Sequence, residues 1–359
     1  MAVPLFDTST PLVPLQAQLR AAVARVLDGG RYVLGPEVKA FESEFAAYIG
    51  TEHAIGVANG TDAITIALRA LGVGPGDDVV VPSFTFYASA EAIVPTGASV
   101  VFCDIDPATF CLTAETVKAA LTPRTKAVIV VHLFGNVAPV AEIEALGVPV
   151  IEDAAQSAGS RSQDGRPGAL GTIATFSFYP SKNLGAFGDG GAITTGDAEI
   201  AERVRTLRFH GSRDKQTFEQ IGYNSRLDEL QAAILRVQLP HLDEWADGRR
   251  VAAERYAASG IGELVALPRP TPGSQPAWHL YVIRSERPDE LGEALRADGI
   301  DARAYYRRPI HRQPSMTVDL DLPGTEEAAR SNLALPIGPT LTAEQVAAVA
   351  AAIHHALVV

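Results

Sequence analysis

Phe176-Ser177-Phe178-Tyr179-Pro180-Ser181-Lys182-Asn183 sets one lysine at the end of an apolar, strand-like run, and the glycine-rich Gly185-Ala186-Phe187-Gly188-Asp189-Gly190-Gly191 follows at once. Between a buried strand and a flexible turn, apolar walls lower the lysine's pKa, and its free amine can then attack an aldehyde. Upstream, Val148-Pro149-Val150-Ile151 reads as a short buried strand, and Glu152-Asp153-Ala154-Ala155-Gln156-Ser157 places carboxylates and an amide at its carboxyl end. Open α/β sheets build their sites at that end.

Working outward, two helices lead the chain: Leu15 to Leu27, which stops at Gly29-Gly30, and Pro36 to Ile49, which stops at Gly50. From His53 onward strands alternate with helices, as His53-Val57, Asp62-Leu71, Val79-Val81, Tyr87-Val94, Ser99-Phe102, Ala114-Leu121, Ala127-Val131 and Val140-Leu146. Thr172-Ser177 and Gly191-Thr194 add further strands. This alternation predicts an α/β fold with a largely parallel sheet covered by helices on both faces. Leu227 to Ala258 is helical, with a kink or break at Pro240, and links a large domain (1–240) to a smaller C-terminal one (241–359). In the latter, His279-Ile283 and Asp301-Tyr305 read as strands, and Asp289-Ala297 and a segment from Ala343 as helices.

The 359 residues can bury a sizeable core and exceed a typical single domain. A formal charge of -12 with no basic stripe argues against a nucleic-acid partner. No apolar run approaches membrane-spanning length and the start lacks a basic leader, so a cytoplasmic protein is expected. Cys103 and Cys111 are too few for a zinc or disulfide framework and read as reduced thiols. Arg303, Arg307, Arg308 and Arg312 form either an anion-attracting cluster or a solvated basic face. Gly60-Thr61-Asp62 opens a helix straight after a strand, where free amides and the helix dipole favour an anion.

Five stretches in order carry a family resemblance: Asn59-Gly60-Thr61-Asp62-Ala63, Pro82-Ser83-Phe84-Thr85-Phe86, Glu152-Asp153-Ala154-Ala155-Gln156, Ser177 through Asn183, and Gly222-Tyr223-Asn224-Ser225-Arg226-Leu227. From Gly35 to about Ala334 the chain resembles the DegT/DnrJ/EryC1/StrS sugar aminotransferases, which use pyridoxal phosphate (PLP). The resemblance implies the aspartate aminotransferase-like fold (fold type I), with a large PLP-binding domain and a small C-terminal α+β domain.

It also implies roles. Lys182 would hold the cofactor and shuttle the proton, and Asp153 would keep the pyridine nitrogen protonated, with Glu152 the alternative by position. Gln156 would bond the ring oxygen and Phe86 stack on the ring. Gly60, Thr61, Asp62 and Ser177 would hold the phosphate, joined by Asn224 from a neighbouring subunit, which makes the active unit at least a homodimer. Tyr305-Tyr306-Arg307-Arg308-Pro309-Ile310-His311 resembles the family's sugar-side segment, except that Arg307 stands where proline is common. Tyr179, Asn183, Tyr306 and His311 are the candidates for the sugar. The implied substrates are a nucleotide-linked (dTDP) keto-deoxyhexose and glutamate as amino donor, with C-3 and C-4 amination both open. Relatives with histidine in place of Lys182 are sugar dehydratases, so the lysine favours amino transfer over that reading. A regulatory role on the same fold is the non-enzymatic alternative.

Overall fold

In the computed structural model, which describes residues 2–358, the chain builds its main core around one seven-stranded sheet. The strands are β1 (His53–Val57), β2 (Asp78–Pro82), β3 (Ser99–Cys103), β4 (Thr125–Val131), β5 (Val150–Asp153), the two-residue β6 (Arg161–Ser162), β7 (Ile173–Ser177) and β8 (Gly191–Thr195). All but β6 join the sheet, in the order β1-β8-β7-β5-β4-β2-β3. Pairing is parallel from β7 through β5, β4 and β2 to β3, whereas β8 runs antiparallel to both β7 and β1. The central strands are apolar on both faces, as a parallel sheet between helix layers requires.

Helix α1 (Gln16–Gly29) ends on Gly30 at φ 64°, and α2 (Pro36–Ile49) starts with proline at N1 and ends on Gly50 at φ 88°. Val38, Phe41, Phe45 and Ile49 form the buried face of α2. Its first amides are satisfied from far away: the buried Glu229 carboxylate accepts from Gly35, Glu37 and Val38 N–H. Helix α3 (Gly60–Ala70) is capped by Asn59, whose side chain accepts from Asp62 N–H.

The expected interruption at Pro240 is a short 3₁₀ turn, Leu239–His241, between helices Glu229–Gln238 and Leu242–Ala258. Residues beyond it enter two of the large cores in number. Leu280, Val282 and Ile310 pack with the main sheet. Tyr256, Tyr281, Leu295 and Ile353 form a second core that also takes in Val3 from the other end of the chain.

Three readings differ from the structure. Tyr87-Val94 is only a four-residue helix, Ala88–Glu91, followed by a 3₁₀ turn, Val94–Thr96, that holds Pro95 and ends on Gly97. Asp301-Tyr305 is no strand but a single bridge, Arg303 to Ala334, because Tyr305 N–H turns to the Asn332 side chain and Asp301 N–H to the Val3 carbonyl. Helix Ala198–Leu207, capped by Asp197, is an element the apolar pattern did not announce.

Candidate active site

The carboxyl ends of the parallel strands open into one cavity of about 690 Å³, which Val131, Asp153 and Ser177 reach from β4, β5 and β7 and Thr85 from the loop after β2. The lysine segment owes its position to an aromatic cluster. Phe176 and Phe178 pack edge-on against Phe45, at 4.9 and 5.5 Å between ring centroids, so alternation leaves Ser177 and Tyr179 facing the other way. The chain then turns through a 2.8 Å bond from Lys182 N–H to the Tyr179 carbonyl. The following glycines serve close approach rather than flexibility. A Cβ on Gly185 would lie 2.6 Å from the Pro180 carbonyl oxygen, and one on Gly191 would lie 2.6 Å from that of Asn59.

Lys182 lines the cavity together with Asp153, Gln156 and Thr61. Burial pulls its amine down to about 8, against the opposing pull of the Asp153 charge. Asp153 is nearly buried, and its Oδ2 accepts a 2.7 Å bond from Ser89 Oγ while Oδ1 accepts from Ala155 N–H. Ser89 in turn lies 3.2 Å from Thr85 Oγ1, so two hydroxyls that sequence reading missed orient the carboxylate.

Glu152 has no such opening. It is 0 % exposed and accepts from His132 Nε2 and from the Gly168, Leu170 and Gly171 amides. His132 Nδ1 accepts from Ala138 N–H, so its ring proton is on Nε2 and Glu152 is fully engaged. The carboxylate available to the cavity is Asp153.

Phe134 N–H holds Gln156 Oε1 at 2.7 Å, which turns the amide NH₂ toward Tyr306 OH, 3.4 Å away. Phe86 is 55 % exposed and Tyr179 likewise 55 %, both at the cavity wall. Gly60, Thr61, Asp62 and Ser177 also meet there. The three amides are not equivalent, since Asp62 N–H is already taken by Asn59 Oδ1 while those of Gly60 and Thr61 have no partner among the described residues. Gly60 packs so closely that an added Cβ would lie 2.8 Å from Ser177 Cβ.

Several residues singled out from the sequence lie outside this cavity. His311 is 0 % exposed, bonded to Ser83 Oγ through Nδ1 and to Glu326 through Nε2, and lies behind the cavity wall rather than in it. Asn183 is buried with Nδ2 tied to the Ala158 and Ala277 carbonyls, and lines a separate small cavity. Asn224 is exposed and does not reach the cavity of its own chain. Arg307 is spent on Asp289 and the Ala329 and Arg330 carbonyls, and Arg312 on Glu326, so the arginine cluster does not converge on the site. His279, which the sequence reading passed over as a strand residue, lines the cavity with Nδ1 buried and unpartnered.

A deep cavity with a depressed-pKa lysine, an oriented carboxylate, a presented amide and a helix-start anion cradle fits PLP group by group. The sequence profile of the DegT/DnrJ/EryC1/StrS aminotransferase family matches residues 14–354. The chain belongs to that family. It is 48% identical over 353 residues, covering 96% of this chain and 93% of the other, to the dTDP-3-amino-3,4,6-trideoxy-alpha-D-glucose transaminase of Streptomyces venezuelae. A protein from Geobacillus stearothermophilus named as a pleiotropic regulatory protein is 45% identical, covering 96% of each chain. Among solved structures, S. venezuelae DesV in complex with a ketimine intermediate superimposes with a TM-score of 0.95 at 46% identity, covering 99% of this chain and 98% of that one. The protein is thus a PLP-dependent aminotransferase of the aspartate aminotransferase-like fold.

Proposed function

We propose that this enzyme aminates the C-3 keto group of a dTDP-linked deoxyhexose, with glutamate as the amino donor. The observation that carries this reading is the meeting of Lys182, Asp153 and Gln156 in one cavity of about 690 Å³, in a chain 48% identical to a transaminase named for a dTDP-3-amino sugar. The volume suits a cofactor together with a sugar-sized substrate. The regulatory name borne by one relative has no counterpart in the site, where the lysine amine is desolvated beside an oriented carboxylate, at a desolvation cost a purely regulatory fold would not need.

When bound, PLP supplies the electron sink that lets the amino-bearing carbon give up its proton. Asp153, held by Ser89, would keep the ring nitrogen protonated, and Gln156 would offer its NH₂ to the ring oxygen. The Gly60 and Thr61 amides, the Thr61 hydroxyl and Ser177 Oγ would receive the phosphate at the start of α3. Lys182 Nζ would take the proton from the amino-bearing carbon and return it, a role typically worth about a hundred- to ten-thousand-fold. Phe86 would stack on the ring, and Tyr179 and Tyr306 would face the sugar.

We also infer a homodimer that completes the site. Asn224 is exposed on a loop that also displays Phe218 and Ile221, large apolar side chains that a second copy would cover. Both cysteines are buried free thiols with pKa values raised to about 12 by burial, which suits a reducing cytoplasm. Among the described residues, no helix is long and apolar enough to cross a membrane.

The deciding test offers dTDP-, UDP- and GDP-linked 3-keto and 4-keto hexoses with glutamate and identifies products by NMR. Amination of the dTDP 3-keto sugar with at least tenfold preference is the expected result. Preference for a 4-keto sugar or another nucleotide would replace the substrate assignment and leave the aminotransferase intact.

A further inference from the structure

The segment leading into the first helical turn is held at both ends. Val3 N–H donates to the Gly299 carbonyl at 3.0 Å, and the Val3 carbonyl accepts from Asp301 N–H at 2.9 Å. The Val3 side chain is buried in the second core and that of Leu5 in the main one. Two residues on, the Asp7 carboxylate accepts from the Ser9 and Thr10 amides and from Thr340 Oγ1. Phe6 sits between these anchors, one step out of phase with Leu5, and is only half-buried. A ring that served the core alone would be covered as Val3 and Leu5 are.

What Phe6 borders is space. It lines the large cavity and also the separate small one, of about 110 Å³, whose wall carries the charged residues Asp7 and Arg249. Three residues are common to the two spaces: Phe6, Ser181 and Lys182. In the large cavity the Phe6 ring packs on His279, with 5.8 Å between ring centroids and 31° between planes. His279 is kept neutral, because burial first, and then the charges of Lys182 and Arg249, hold its pKa well below the ordinary histidine range. Lys182 therefore shares this wall with a phenyl ring and an uncharged imidazole. Desolvation outweighs the Asp153 charge in setting the state of its amine, so whatever keeps water away decides how much free amine the enzyme holds. With Phe6 gone the two spaces would join. Water would enter beside Lys182 and bring the amine within reach of Asp7 as well, and both changes favour the protonated form.

We propose that Phe6 is a positioning residue for amino transfer: held in place by Val3, Leu5 and Asp7, its ring is the partition that shuts the Lys182 amine off from the small charged cavity and leaves it facing the cofactor side. The inference rests on Lys182 being the reactive amine. It does not depend on which sugar or which donor the enzyme takes.

The experiment follows PLP uptake by the full-length protein stripped of cofactor, at saturating PLP and from about pH 6 to pH 10, by the rise of the visible band. In wild type the rate should level off above about 8. In Phe6→Ala the plateau should move up by about one pH unit, which slows uptake at pH 7 about tenfold. The ionisations of PLP itself are the same for both proteins and cancel in the comparison. Phe6→Leu, which restores apolar bulk, should recover at least half of the shift. An unmoved profile in Phe6→Ala would overturn the proposal, and if the melting temperature fell at the same time Phe6 would be a core residue only. Should Phe6→Ala not fold, Phe6→Val takes its place, with uptake at pH 7 slowed about two- to threefold, and a wild-type profile there overturns the partition equally. Borohydride added after uptake keeps the two readings apart. A label away from Lys182 in wild type would overturn the lysine assignment and this proposal together, whereas a label on Lys182 with an unmoved profile in the variant overturns the partition alone.

Discussion

Glu152 and Asp153 are adjacent in the chain yet serve opposite sides of β5: Glu152 is enclosed by His132 and three backbone amides, while Asp153 borders the cavity under the hand of Ser89. Strand alternation makes such a split unavoidable. Two carboxylates of the same chemistry therefore receive different surroundings, an enclosed network and the cavity wall, by one step along the backbone.

Exchanging each for its amide should separate the two duties. Glu152→Gln replaces an acceptor-only group that takes four donors with one that brings two donors of its own, and a loss of about 3 kcal/mol in stability is expected from urea denaturation. Asp153→Asn should leave the denaturation midpoint nearly unchanged and slow both half-reactions at least a hundredfold in single-turnover measurements. Near-normal rates in Asp153→Asn would remove it from its role.

The depressed pKa of Lys182 has a pH signature. In cofactor-free protein its amine should react with aldehydes at a rate that rises with pH and levels off above about 8. Stability carries the same mark. Between about 8 and the ordinary 10.5 the unfolded chain holds a proton that the folded one has released, so stability gained from this group rises with pH across that window. Lys182→Met should therefore be more stable than the cofactor-free wild type at pH 7, with the difference fading as pH approaches 10.5. Thermal melts of both proteins across that range measure it, and a difference independent of pH would refute the buried-amine account.

Borohydride reduction of the PLP-loaded enzyme should remove the visible band and leave the label on Lys182 in a peptide map. A label on Lys39, Lys118, Lys126 or Lys215 would displace it from the centre of the mechanism.

Gly60→Ala should weaken PLP retention about tenfold in equilibrium dialysis, because the new Cβ, 2.8 Å from Ser177 Cβ, must push the two phosphate-facing segments apart. Thr61→Ala, which removes only a hydroxyl, should cost less. Equal affinity in wild type and Gly60→Ala would show that the phosphate sits elsewhere.

If Asn224 completes the partner's site, Asn224→Ala should lose cofactor, and a tagged mixed dimer with Lys182→Ala should regain activity that neither homodimer has. One of its two sites then draws lysine and asparagine from intact chains. An isolated mixed dimer as inactive as its parents, beside a clearly impaired Asn224→Ala homodimer, would place both groups within one chain.

Much of the site was legible because its residues stand in short local patterns. Lys182 follows a strand and precedes glycines, Asp153 ends a strand, and Gly60-Thr61 opens a helix; strand and helix periods are properties of a few consecutive residues. His311 and Asn183 misled for the converse reason. Their neighbours in sequence resemble a substrate loop, but Ser83 and Ala277, which hold them, are distant in the chain.

What the amino-acid sequence determined by itself was therefore the succession of strands and helices, the ends at which chemistry could sit, and a lysine suited to a free amine. Which face of β5 opened on the cavity was decided by the tertiary structure, and there a Ser89 bond across 64 positions orients Asp153. So was the cap that Glu229 places on α2 from 194 positions away. Local geometry sets the period of a segment, but only closure of long loops puts one segment's charge beside another's reactive atom.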